Sequence, residues 1–291
     1  MSRAEPELPA INPADWSDVL TPRRSLFDLR LRELWAYRDL ILLFIRRDFV
    51  AVYKQTILGP AWFLLQPLLT TIMFTIVFGW VARISTDRLP PFLFYLAGIV
   101  PWNYFADCVH KTANTFSQNA SIFGKVYFPR LAVPISIVIT SLIGFAIQFA
   151  LFLVVLLYYL WTGAAVNPSW RIIVAPFLLL EMAILGLGVG CLVASLTTRY
   201  RDLAMAVSFG VQLWMYASAV VYPISAISPG MRRFMILNPM VPIIEAFRFS
   251  FLGAGVVELW QILLSFAISV VVCAAGLLLF HRVERTVMDT I

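Results

Sequence analysis

The sequence predicts an all-α integral membrane protein with six transmembrane helices. Three observations predict it. Apolar runs of membrane-spanning length recur from residue 60 onward, beginning with Ala61–Val81, which no charged side chain interrupts. A helix rises about 1.5 Å per residue, so roughly twenty apolar residues cover a hydrocarbon core of about 30 Å. The chain of 291 residues is 61% hydrophobic and 13% charged, whereas soluble domains carry about 25% charged residues. Its 22 Lys and Arg fall in loops and terminal segments, so the net charge of +6 reads as membrane topology rather than nucleic-acid binding.

The elements follow in order. Residues 1–24 form a disordered lead, punctuated by Pro6, Pro9, Pro13 and Pro22 and without periodicity. That lead is polar, which predicts no cleavable signal peptide. Residues 25–59 form an amphipathic interfacial segment. Ser25 followed by Asp28 reads as a helix start. Asp39, Arg46 and Lys54 then recur along one side, while Ile41, Ile45, Phe49 and Val52 lie on the other. Its longest apolar run, Leu40–Ile45, is too short to span, so the helix lies flat among headgroups.

Residues 60–281 carry the spans, read as Ala61–Val81, Pro91–Thr115, Leu131–Trp161, Arg171–Leu196, Leu203–Tyr222 and Leu259–His281. Pro101 predicts a kink or a split in the second. Residues 282–291 are a cytoplasmic tail. Lys and Arg are concentrated on the segments that place both termini in the cytoplasm.

Two connections are unusual. Phe116–Arg130 is polar and helix-capable, and fits a short helix lying on the inner face. Pro223–Glu258 is too apolar for a free loop. Its pieces, Met231–Leu237 and Pro239–Leu252, are too short to span and are separated by Asn238–Pro239. They read as re-entrant helices, because backbone at membrane depth must stay hydrogen-bonded or face protein or water. The competing reading is one further span, Met240–Val257. Glu245 and Arg248 oppose it, at about 2.5–3.5 kcal/mol each near mid-bilayer.

The chemistry-bearing residues are few. No GxxxxGK[ST] motif is present, and Gly124–Lys125 is followed by Val126. Cys108, Cys191 and Cys273 are scattered through apolar runs, and His110 and His281 are far apart, so no metal site is expected. Glu181 is the one carboxylate deep in a span, open to a proton-coupling role or to a buried packing contact. Gly186 and Gly190, at i and i+4, predict close helix packing within or between subunits. Trp80, Trp161, Trp170, Tyr222 and Trp260 mark span ends. Phe74, Phe78, Trp102, Tyr104, Phe105, Trp214 and Tyr216 lie deeper, and suit either packing or a glycan-lined tunnel. Arg46, Arg47 and Lys54 suit a pyrophosphate or anionic lipid headgroups. Asp107 and His110, at i and i+3, are the best pair for a membrane-embedded glycan-modifying enzyme.

Five segments together carry a resemblance: RRDFVAVYKQTILGPAWFLLQPLL (46–69), AGIVPWNYFADCV (97–109), NASIFGKVYFPR (119–130), GLGVGCLVASLTTRYRDL (186–203) and VVYPISAI…LNPMVPIIEAFRF (220–249). In that order the chain resembles the membrane subunit of type-2 ABC exporters for polysaccharides, the Wzm group, with teichoic-acid and capsule exporters close by. The match runs over roughly residues 31 to 285.

The resemblance implies a permease in the inner (plasma) membrane that is not itself an enzyme. Its partners would be a second copy of itself, two cytoplasmic ABC ATPase subunits holding ATP and Mg, membrane lipids, and an undecaprenyl-linked, O-antigen-like polysaccharide as cargo. Ile122, Phe123, Lys125, Tyr127 and Phe128 would belong to a coupling helix seated on the ATPase. Arg46, Arg47, Lys54, Leu58 and Gly59 would lie where the lipid pyrophosphate enters. Asn238, Pro239, Glu245 and Arg248 would form an outer gate. Phe74, Phe78, Trp102, Tyr104, Trp214 and Tyr216 would be pore aromatics. The alternative is an ion-coupled secondary transporter of a small solute that uses Glu181, for which inverted repeats would be the mark.

Overall fold

The computed structural model describes residues 31–54, 59–123, 128–198 and 203–288, and among them every regular element is helical. The predicted lead and residues 25–30 lie outside the described residues. The described residues begin with α1 (Leu31–Ala36) and α2 (Arg38–Lys54). The spanning helices begin with α3, Trp62–Phe74, which continues in wider π-helical turns over Thr75–Val81. Then come α4 (Pro91–Ala113), the short α5 (Thr115–Phe123) and α6 (Ala132–Trp161). After them come α7 (Ala175–Thr197), α8 (Leu203–Tyr216), the pair α9 (Pro229–Met235) and α10 (Met240–Leu252), and α11 (Leu259–Met288).

Among the described residues, five stretches are long and apolar enough to cross a bilayer: Trp62–Val81, Pro91–Ala113, Ala132–Trp161, Trp170–Thr197 and Leu259–Glu284. These agree with the predicted spans to within a few residues, except for Leu203–Tyr222. There the described helix stops at Tyr216. Fourteen residues rise only about 21 Å, short of a full crossing. Past the end of this helix, side chains from α10 and its preceding turn bond the backbone carbonyls of Ala217, Ala219 and Val220. Pro101 neither kinks α4 into two nor splits it; the helix runs unbroken from Pro91 to Ala113. α9 and α10 meet at a bend of 105°, close to the predicted re-entrant pair, and α10 ends on Gly253 in the left-handed region (φ 74°).

The packing is organised by α4, the most buried span, with α7 and α6 against it and α11 against α7. Small residues allow this. A Cβ added at Gly186 would lie 2.7 Å from Cβ of Cys108, and one at Gly190 2.5 Å from Cβ of Thr112, so this glycine stripe brings α7 onto α4 within one chain. Gly188, on the other face of α7, would meet Cα of Cys273 at 2.5 Å, and Gly276 returns the contact against Gly188 O. At one end of the bundle, Phe149 and Phe152 of α6 interleave with Phe247 and Phe251 of α10, with ring centres 5.3–5.5 Å apart for Phe152–Phe247, Phe149–Phe251 and Phe152–Phe251. The chain leaving α6 adds Asn167 N–H to Leu252 O and Ser169 N–H to Ser250 O, each at 3.1 Å. This is the far end. At the near end, α2, α5 and the start of α6 share a second apolar cluster.

The glycine contacts make a stability prediction. Gly188→Ala pushes a methyl into the α11 backbone and should destabilise the protein by about 1–3 kcal/mol. Gly210→Ala, with open space around it, should leave thermal unfolding in detergent unchanged or slightly raised.

Candidate functional site

The far end holds a buried polar break rather than a continuous helix. Beyond α8 the chain turns through residues 217–222, with Ala219 at φ 56°. A turn at this depth leaves carbonyls without helical partners, and each has to be bonded by other means. Asn238 and Arg248 supply the donors. Asn238 Nδ2 donates to Ala217 O at 3.0 Å and to Ser218 Oγ at 2.9 Å. Its Oδ1 accepts from Trp214 Nε1 at 3.0 Å and from Met240 N–H at 3.2 Å, so one amide closes α8 and opens α10. Arg248 Nη1 donates to Ala219 O and Nη2 to Val220 O, both at 2.7 Å.

Arg248 and Glu245 are each 1% exposed. Their contact, Nη1 to Oε1, is 3.4 Å. The carboxylate also accepts from Ile224 N–H (3.5 Å) and Val256 N–H (3.4 Å), which ties both flanks of the α9–α10 pair to α10. The guanidinium lies over the ring of Phe94, 3.7 Å from its centre. Gly98 leaves room for it, since a Cβ there would sit 2.7 Å from Nη2. Ser225 Oγ adds a 2.6 Å bond to Asp87 Oδ1 on the α3–α4 connection. A buried charge is tolerated when it is paired and its hydrogen bonds are met, and here four backbone groups and one aromatic face meet most of them.

Thus Asn238, Pro239, Glu245 and Arg248, singled out from the sequence, come together around one break. Phe94, Gly98 and Asp87 were not singled out. Arg248 three residues after Glu245 in an apolar stretch was the available signal that such a nest existed, but nothing local pointed to the α4 face that receives it.

The aromatic set divides. Phe74, Trp102 and Tyr104 are buried in the chain's own core, and Phe78 and Trp214 are partly buried against it. Trp214 packs between Trp102 and Phe105, and Tyr104 lies against Phe145. Tyr216 alone of the six is exposed. Asp107 is engaged by Lys111 Nζ at 2.9 Å rather than poised with His110.

The near end gathers a different group. Phe123 and Phe128 are buried with Phe44, Ile41 and Val133, and Ile122 is partly buried, so these side chains turn inward to seat α5 on α2. Lys125, Tyr127 and Leu58, and the Lys54 side chain, lie outside the described residues. Arg46 and Arg47 are exposed; Arg47 Nε bonds Asp48 at 2.8 Å, and its two terminal nitrogens reach Asn119 Oδ1 at 3.5 Å. A cavity of about 440 Å³ opens here between α2, α4, α5 and α6, lined by Arg47, Lys111, Gln118, Asn119 and Thr140 among others. Gly59 holds φ 49°, a sharp turn ahead of α3. Arg130 closes the base, with its backbone N–H on Glu284 Oε1 at 3.4 Å, while His281 Nδ1 lies 3.2 Å from Glu284 Oε2.

The sequence profile of ABC-2 type transporters matches residues 39–252, a stretch that contains both the α2–α5 platform and the polar break. The chain belongs to the ABC-2 type transporter family. It is 30% identical over 264 residues to the O-antigen export system permease protein RfbA of Myxococcus xanthus, covering 90% of this chain and 98% of that one. It is 26% identical over 246 residues to a protein of the same name from Klebsiella pneumoniae, covering 84% of this chain and 92% of the relative. As an ABC-2 family member with several apolar spanning helices, the chain is a multi-pass membrane protein.

Removing Arg248 alone, as Arg248→Met, should cost on the order of 3–5 kcal/mol, because Glu245 is left buried without its cation. Arg248→Met combined with Glu245→Gln should recover part of that loss, read as the yield and melting of monodisperse protein in detergent.

Proposed function

We propose that this chain is the membrane permease subunit of an ATP-driven exporter that moves a lipid-linked, O-antigen-like polysaccharide across the inner membrane. One observation carries the reading: the likeness to permeases named for O-antigen export extends over nearly their whole length. The two ends of the bundle are consistent with the task. With α8 and the turn after it carrying the chain to the outer side as a sixth crossing, both termini are cytoplasmic, α2 and α5 form an inner platform and the α9–α10 pair lies toward the outer leaflet.

In this reading, two copies enclose a pore and two cytoplasmic ATPase subunits bind ATP and Mg. The α5 segment and the residues after it, from Ile122 to Phe128, take the motion of the ATPase. Phe123 and Phe128 contribute by fixing α5 to α2, so a push on α5 reaches α2 and α6 together. Arg46, Arg47, Lys54 and the Leu58–Gly59 turn receive the pyrophosphate of the undecaprenyl-linked cargo at the headgroup level. Asn238, Pro239, Glu245 and Arg248 hold the outer gate in its closed form. A pore is required because a glycan's many hydroxyls could not be stripped of water and passed through hydrocarbon. Tyr216, Trp214 and Phe78, the members of the aromatic set that reach the chain's surface, are the ones available to line it. The ion-coupled alternative uses Glu181, which is wholly buried between helices rather than open to an aqueous path.

The test is reconstitution with the ABC ATPase proposed as its partner. Export of lipid-linked glycan into proteoliposomes should require ATP and both proteins; transport by this chain alone on an ion gradient would overturn the proposal. Phe123→Ala should abolish export while the protein stays in the membrane, since it opens a cavity under α5 at a cost of about 3–5 kcal/mol. Arg46→Ala and Arg47→Ala should each weaken retention of the lipid pyrophosphate by about 1 kcal/mol, roughly fivefold, measured as a rise in the cargo concentration that half-stimulates ATP hydrolysis.

A further inference from the structure

Glu181 has no part in the function described so far, yet only one hydroxyl separates it from Pro239. Its side chain is 0% exposed on α7. Oε1 contacts Ser265 Oγ on α11, and Ser265 Oγ also lies 2.9 Å from the carbonyl oxygen of Pro239, at the break between α9 and α10. A hydroxyl has one proton to give. It meets both neighbours when the Glu181 carboxyl is itself the donor. The chain then runs from Glu181 O–H to Ser265 Oγ, and from Ser265 O–H to Pro239 O. No cationic side chain among the described residues offsets the carboxyl, and Glu181 Oε2 and Ser269 Oγ, one turn further along α11, have no hydrogen-bond partner.

The position of this chain gives it a role. Pro239 stands where the re-entrant pair bends by 105°. On its other side, Asn238 is already committed to the end of α8. Glu181 and Ser265 sit on α7 and α11, which are locked together through Gly188 and Gly276, while Gly186 and Gly190 fasten α7 to α4. α4 ends at Ala113, and α5 begins at Thr115. The same close-packed block therefore meets the platform at one end and, about 24 Å away by helix rise from Thr197 to Glu181, grips the break at the other.

We propose that Glu181 is a positioning residue for the gate. Its carboxyl, through the Ser265 hydroxyl, pins the Pro239 carbonyl and so ties the bend of the α9–α10 pair to the α4–α7–α11 block, making movement of that block the event that releases the gate. The link to export rests on the permease reading above; the pinning itself does not.

The experiment uses the full chain in complex with its ATPase in lipid nanodiscs and proteoliposomes, with Glu181→Ala, Glu181→Gln and Ser265→Ala. Amide hydrogen exchange over residues 229–252 reads the pin directly. Ser265→Ala and Glu181→Ala should speed exchange there about tenfold, the effect of losing one buried hydrogen bond, with residues 132–161 unchanged. Both should leave ATP hydrolysis running while export falls. Glu181→Gln should behave as the parent in both assays, because an amide N–H donates as the carboxyl O–H does. Exchange unchanged in Ser265→Ala, a variant too small to threaten folding, would overturn the proposal. So would a Glu181→Gln variant as damaged as Glu181→Ala, which would assign the residue to ion transfer. If the permease reading is the one at fault, the parent complex shows no ATP-driven export, while the exchange measurement still reports whether the pin exists.

Discussion

The far half of the molecule is arranged around the need to satisfy one buried arginine. Arg248 reaches out of α10 into a buried space, and a guanidinium there is expensive unless its donors are met. The carbonyls of Ala219 and Val220, just past the end of α8, accept from its two terminal nitrogens. The end of α8, the absence of a side chain at Gly98 and the placement of Phe94 are thus parts of one solution. Glu245 extends it by holding the backbone on either side of the re-entrant pair. Arg248 therefore takes up carbonyls that lie past the end of α8, just ahead of Pro223, where no helical N–H claims them.

The near half depends on apolar contact instead. Phe44, Phe123 and Phe128 meet ring to ring, at 5.6 Å for Phe44–Phe128 and 5.7 Å for Phe123–Phe128, and bind the interfacial helix to the short helix after α4. Leu42 and Leu43 on α2 stay exposed, as suits a helix that rests one side on protein and another on lipid. The two ends of the bundle are therefore built from different materials: a greasy platform at one end and a hydrogen-bonded knot at the other.

Much of this was legible in the residues. Uninterrupted apolar length is set by bilayer thickness, so α3, α4, α6, α7 and α11 could be read directly. The bend at Asn238–Pro239 was readable because a proline and two charges in a short apolar stretch leave few options. The stop in α8 was not, because Leu203–Tyr222 carries no charge, and the residues that bond the carbonyls past its end, Asn238 and Arg248, come some twenty or thirty residues later in the chain. The inward turn of Phe123 and Phe128, the burial of Trp102 and the Ser265 contact of Glu181 are likewise tertiary facts. Periodicity can say that a side chain has a face, not which neighbour occupies it.

The stacked phenylalanines between α6 and α10 have a mechanical consequence. Together with the two backbone bonds from the strap after α6, they bolt α10 to the thirty-residue helix beside it. α9 is held more lightly, by Met235 packed against Ala219, Ile224 and Val241 and by Arg232 Nη2 on Val256 O at 3.4 Å, and Met231 and Phe234 stand 58% and 73% exposed. The elbow between them is accordingly lopsided: one leaf belongs to the frame, and any swing that opens a passage is left to the other.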